Sequence, residues 1–142
     1  MFAKFLARFD SSAYALKHIQ EVFLHCGHSN ADCGYSFCLL KSTEEWLLSA
    51  ECCVDGRENP VTLTNHPVRY EDAEKLLETM QQQNVIHLVR CYKELKRQEI
   101  TLDEPSYHLA IKMDNGEVVA ANALVCKEME TFFYHLAETY AE

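Results

Sequence analysis

The residue types that could do chemistry in this chain are its seven cysteines and seven histidines. Four of them, His25, Cys26, His28 and Cys33, lie within nine residues of sequence. Imidazole nitrogen and thiolate sulfur are the donors that zinc prefers, and four such ligands can surround the ion tetrahedrally. These residue types at this spacing indicate a candidate metal site, with zinc as the candidate ion.

Two features of the sequence weigh against zinc at these residues. Structural zinc sites usually combine two motifs of the C-x₂₋₄-C kind, whereas this group is irregular and has no second matching pair. The adjacent Cys52 and Cys53 do not supply that pair, because neighbouring residues of a strand point to opposite faces. The favoured interpretation is that the four side chains are incidental members of a loop and a sheet, with no bound cofactor, and a zinc site is the alternative.

Motifs typical of catalysis are missing from the sequence. It has no glycine-rich phosphate loop, no G-x-S-x-G nucleophile elbow and no H-E-x-x-H helix. Cys126 precedes the last predicted helix, where a helix N-terminus lowers the pKa of a thiol. Asp103 and Glu104 are paired carboxylates, which a solvated loop explains equally well. The sequence therefore favours a non-enzymatic protein and leaves enzymatic activity open.

The charge of the chain limits its expected partners. Lys and Arg number 13 against 22 Asp and Glu, which gives a formal net charge of −9. Nucleic acid and anionic membranes bind cationic surfaces, so neither is an expected partner. An acidic single domain is suited to binding another protein or a second copy of itself as a homodimer, and solubility alone explains the charge equally well. The basic residues cluster at 90–97.

The chain is expected to be cytoplasmic. Lys4 and Arg8 interrupt the apolar residues near the start, so no secretory signal peptide is predicted. No window approaches the ~20 apolar residues of a membrane span. In that compartment the cysteines are expected to be reduced, and most of them to be small buried side chains.

Alternating apolar residues predict the strands that would position these side chains. Residues 19–26 are rich in branched and aromatic residues and either finish the N-terminal helix or form a first strand. The strand is favoured, and it leads His25 and Cys26 into a polar loop. The segments 35–41 and 46–54 alternate and are predicted to form a hairpin. A further short strand is predicted over 61–64, and Pro67 is expected to end it.

Later segments alternate between helical and strand patterns. Apolar residues at helical spacing predict a helix over 70–80, a second, shorter helix over 85–97 and a last helix from Lys127. Between the second and last of these, residues 107–111 and 117–124 are predicted to form a hairpin around Asn115-Gly116. Residues 1–18 are expected to be helical or partly flexible.

These elements predict an α+β fold in one domain that covers residues 1–142. The strands occur in hairpins and not in βαβ units, which favours a single antiparallel sheet of about five to six strands. The helices are expected to pack on one face of that sheet.

From Ile19 to its end, the chain resembles small bacterial single-domain α+β proteins of unknown function. No functional residue follows from this resemblance. Its segments are Gly34-Tyr35-x-Phe37-x-Leu39, Trp46-x-Leu48, an acidic helix, Val85-Ile86, Leu102-Asp103, Tyr107-x-Leu109-x-Ile111 and Asp114-x-Gly116.

The order of the elements is also similar to that of type III secretion chaperones, which are small acidic homodimers that bind unfolded segments of secreted effectors. The chain departs from that pattern in an extra helical segment after the second helix and in its N-terminal sequence. This resemblance implies a symmetric dimer whose interface uses the second helix or an edge strand.

Three functions are therefore expected, in this order. The first is a non-enzymatic cytoplasmic binding or interaction module. The second is a metal- or thiol-dependent site around His25, Cys26, His28 and Cys33. The third is a chaperone-like dimer.

Overall fold

The computed structural model describes residues 18–27, 34–95 and 106–141, with the backbone alone for 93–95. The predictions for 1–17, 28–33 and 96–105 lie outside the described residues. The described part forms nine elements: β1 (Ile19–Gly27), β2 (Tyr35–Ser42), β3 (Glu45–Cys52), β4 (Val61–Val68), α1 (Tyr70–Gln82), α2 (Val85–Leu95), β5 (Ser106–Met113), β6 (Val118–Ala121) and α3 (Lys127–Tyr140).

One antiparallel sheet contains all six strands, in the order β4-β3-β2-β1-β5-β6. The first four strands form a meander, in which each strand pairs with the next one along the chain. After α1 and α2 the chain returns to the middle of the sheet, where β5 pairs with β1 and not with β4. This return places β1, with His25 and Cys26, between β2 and β5.

The two faces of the sheet differ in burial. One face carries the buried strand residues, such as Leu24, Phe37 and Leu48, each 0% exposed. This inner face packs against the three described helices, which bury residues such as Leu76 of α1 and Phe133 of α3. The opposite face, called the outer face below, carries partly exposed and exposed residues. The α+β architecture with helices on one face is thus confirmed for the described residues.

Two hairpin turns form where the sequence predicts them, although the first uses a residue type that rarely adopts a positive φ. In the β2–β3 turn, Thr43 adopts a positive φ of 54°. The loop between β5 and β6 has Gly116 at φ 91°, a region that glycine enters without steric cost. The amide of Gly116 donates to the carbonyl of Met113 at 3.0 Å, and Met113 in turn donates to Glu117 at 2.8 Å. Hairpins with three-residue loops need a residue in this left-handed conformation.

Two predicted boundaries are wrong. Pro67 does not end the strand, because β4 continues to Val68 with Pro67 opposite Leu47 of β3. An edge strand tolerates proline, since the missing N–H can be on the side that has no partner strand. The partner strand predicted over 117–124 is only four residues long, Val118–Ala121.

Candidate functional site

The structure separates the two described members of the predicted zinc site. His25 and Cys26 are neighbours on β1, so their side chains lie on opposite faces of the sheet. Cys26 is buried on the inner face, and His25 is exposed on the outer face. His28 and Cys33 lie outside the described residues. No group of three or more His, Cys, Asp or Glu side chains that could hold a metal ion occurs among the described residues. The four-residue site and its zinc ion stay a prediction.

On the inner face, Cys26 lies between two tyrosines. It is the register partner of Tyr35 on β2 and of Tyr107 on β5. The hydroxyl of Tyr35 donates a hydrogen bond of 2.5 Å to the Glu130 carboxylate on α3. Burial, then the Glu130 carboxylate, raises the pKa of Tyr35 above its ordinary value, and burial also raises the pKa of Tyr107.

This cluster positions α3 and does not activate a nucleophile. A tyrosine whose pKa is raised stays a neutral hydrogen-bond donor, and Tyr35 uses its hydroxyl to hold Glu130 over the end of the sheet. The Tyr35 ring also stacks on Phe37 with centroids 4.9 Å apart and contacts the edge of Tyr134 at 5.5 Å. The Tyr35–Glu130 hydrogen bond joins residues that are 95 positions apart, so no local sequence spacing predicts it.

On the outer face, His25 has an aromatic environment. It lies opposite His108 on β5, and the Phe23 ring is 6.2 Å from the ring of His25 and 6.0 Å from that of His108. The His108 Nδ1 atom is 3.1 Å from the Asn122 side-chain oxygen. If that oxygen accepts the Nδ1–H proton, the other ring nitrogen of His108 is left as an acceptor. Two imidazoles and one phenyl ring therefore form a polar aromatic end to the outer face.

The centre of the outer face is apolar. Four partly exposed residues lie there on three neighbouring strands: Leu47, Leu40, Cys38 and Phe23. We call these four residues the apolar patch. The Cys38 thiol donates to the Glu21 carboxylate at 3.4 Å, and burial together with this carboxylate raises the Cys38 pKa to about 12.

Other thiols are also held in their neutral form. Burial raises the pKa of Cys52 to about 11. Cys126 precedes α3 as predicted, but its side chain makes no capping hydrogen bond there. Burial raises its pKa, with the Glu128 carboxylate acting in the same direction, and this outweighs the lowering effect of the backbone at the start of the helix, so the net pKa of Cys126 is raised. Its position at a helix start therefore does not produce a reactive thiolate.

A cysteine–histidine contact that is absent from the sequence predictions lies on α2. His87 and Cys91 are one helical turn apart, with the Cys91 sulfur 3.4 Å from the His87 Nε2 atom. Residues at i and i+4 lie on the same face of a helix, so their spacing within the predicted second helix could have identified the pair.

The remaining predicted charge features have ordinary roles or lie outside the structure. Asp103 and Glu104 are outside the described residues. In the basic stretch 90–97, Arg90 forms an ion pair of 3.0 Å with Glu117 beside β6. No helix in the described ranges combines the length and apolar character needed to cross a membrane.

Comparisons with known proteins give no relative from which a role can be transferred. No protein-family model, curated protein or solved structure matches the chain. The resemblances to small bacterial proteins and to secretion chaperones stay predictions, and function has to be argued from the residues themselves.

Proposed function

We propose that the chain is a non-enzymatic binding module whose outer sheet face binds an amphipathic segment of another protein. The apolar patch is the observation that carries this proposal. Phe23, Leu40 and Leu47 are large apolar side chains on a face against which none of the described helices packs. Contiguous apolar surface with a polar rim is typical of protein interaction sites.

The charges around the patch favour a basic partner. Glu21 borders the patch beside Leu40, and Glu51 is exposed further along the same face. Lys112 is the cation opposite Glu21 on β5. In a chain of net charge −9, this border favours a segment with apolar side chains on one side and Lys or Arg at its margins.

The state of the thiols supports a role other than catalysis. The thiolate is the nucleophilic form of cysteine, and its population falls as the pKa rises above neutral pH. The pKa values of Cys38, Cys52 and Cys126 are all raised. These three thiols therefore favour packing over nucleophilic chemistry.

The proposal can be tested with a designed peptide. We would label the full chain with ¹⁵N and add a 15-residue helix that has Leu on one face and Lys on the other. A peptide of the same composition in scrambled order is the control. We expect saturable chemical-shift changes at β1, β2 and β3 amides with the amphipathic peptide only.

Two matched substitutions test the location. Leu47→Ser removes an apolar side chain from the patch, and Leu88→Ser makes the same change on α2, where Leu88 is 39% exposed. Binding should weaken at least about tenfold, or 1.4 kcal/mol, in the first variant and stay unchanged in the second. Equal binding of both peptides, or shifts centred on the helices, would refute the proposal. Shifts at the same strands on concentrating the chain alone would make a second copy the occupant.

A further inference from the structure

His87 and Cys91 on α2 are at the i, i+4 spacing, which places two potential ligands of one zinc ion on the same face of a helix. Zn–N and Zn–S bonds are about 2.0–2.1 Å and 2.3 Å, and a tetrahedral angle between them places the two ligand atoms about 3.6 Å apart. The observed distance from Cys91 sulfur to His87 Nε2 is 3.4 Å. The sulfur is also 4.0 Å from His87 Nδ1, so it lies near the Cε1 edge of the ring and not on the Nε2 lone pair. Rotation of the exposed imidazole would turn that lone pair toward an ion bound to the sulfur.

The surroundings of the pair leave it accessible. His87 is exposed and Cys91 partly exposed. The neighbouring cation, Arg90, forms its ion pair with Glu117 at 3.0 Å, which occupies its guanidinium. Repulsion between this guanidinium and a bound ion is reduced by that carboxylate.

Two ligands from one chain leave two positions of a tetrahedral ion to be filled. No further His, Cys, Asp or Glu completes a group of three at this pair among the described residues. Leu88 follows His87 on α2 and is among the few large apolar side chains exposed in the described part of the chain. A second copy related by a two-fold axis would bring its own pair to the ion and cover Leu88.

We propose that one zinc ion joins two copies of this chain, with His87 and Cys91 of each copy as its four ligands. Each Cys91 thiol releases its proton to solvent as the sulfur binds, so assembly releases two protons per ion. The two α2 helices pack beside each other at the site, with Leu88 of both copies excluded from water.

The test is a zinc titration of the full chain, purified without a histidine tag and followed by sedimentation velocity. We expect conversion from monomer to dimer that is complete at one zinc per two chains. With Co²⁺ in place of zinc, we expect the visible absorption of a tetrahedral ion and a thiolate-to-cobalt charge-transfer band.

Substitutions separate this site from the other histidines and cysteines. His87→Ala and Cys91→Ser should each weaken ion binding at least about tenfold and remove the dimer, while circular dichroism shows an unchanged fold. Cys53→Ser, which changes an exposed cysteine on another part of the surface, should have no effect. Cys33→Ser tests the predicted site near β1 in the same assay and should also have no effect.

Three results would overturn the proposal. One is a monomer that binds one zinc ion per chain. Another is a dimer that forms to the same extent in the presence of a chelator. The third is loss of the charge-transfer band in Cys33→Ser with retention of the band in Cys91→Ser.

Discussion

Replacing Tyr35 with Phe should weaken the attachment of α3 to the sheet without changing the packing of the core. The substitution removes one hydroxyl, which donates 2.5 Å to the Glu130 carboxylate, and keeps a ring that is 5% exposed. Hydrogen bonds to charged groups contribute about 1.5–3 kcal/mol. Glu130 is only partly buried, so water can replace the lost donor. We therefore expect a loss near 1.5 kcal/mol at pH 7.

The assay is urea unfolding followed by the fluorescence of Trp46, the single tryptophan, which is 4% exposed in the folded chain. Tyr92→Phe is the matched control, because its hydroxyl donates a longer bond of 3.3 Å to the Asn122 carbonyl. That control should lose less than about 1 kcal/mol. A cycle with Glu130→Gln and the double variant should give a coupling energy above about 1 kcal/mol.

The pH dependence of the same variant gives a second test. The Tyr35 pKa is raised in the folded chain, so its contribution is complete below the unfolded value of 10.0 and is lost as the pH rises above that value. Tyr35→Phe has no such group. The difference in stability between wild type and variant should therefore narrow above pH 10. A coupling energy below about 0.5 kcal/mol, together with a difference that stays constant above pH 10, would refute the reasoning.

Three further predictions concern other parts of the fold. Phe133→Ala should lower the free energy of unfolding by about 3–5 kcal/mol in the same urea assay, because the ring is fully buried and stacks on Phe37 at 5.1 Å; a loss below about 1 kcal/mol would contradict this. Gly116→Ala should cost about 1–2 kcal/mol by thermal unfolding, since alanine is strained at φ 91°; an unchanged melting temperature would contradict it. Cys38→Ala should make the free energy of unfolding fall less steeply between pH 9 and 12. The pKa of the Cys38 thiol is raised to about 12 beside Glu21, so the contribution of this thiol to stability is lost as the pH rises from 9.0. A decrease as steep as that of the wild type would contradict this.

Local patterns in the sequence were sufficient to predict most of the elements. Alternation identified β2 and β3, branched and aromatic residues favoured a strand at β1, and helical spacing identified α1 and the start of α3. The same alternation implies that His25 and Cys26 point apart, as the structure shows. The prediction that Pro67 ends its strand was wrong, because the sequence does not say which strand lies at the edge of the sheet, where proline is tolerated.

The candidate sites depended more on tertiary contacts. The zinc prediction used proximity along the chain, whereas ligands must converge in space. The His87–Cys91 pair is local and was detectable at spacing i, i+4. No local pattern specifies which distant strand or helix will be the neighbour of a given residue. The sequence therefore could not reveal the Tyr35–Glu130 hydrogen bond or the facing histidines His25 and His108.

The sequence by itself determined the α+β class, the antiparallel hairpins and which strand residues share a face, because these depend on periodicity and on turn residues close along the chain. The tertiary structure decided that β5 pairs with β1 and that the described helices all lie on the inner face. Those choices follow from the burial of the whole apolar surface at once, a long-range property. They place Tyr107 beside Cys26, His108 beside His25, and the apolar patch opposite the helices.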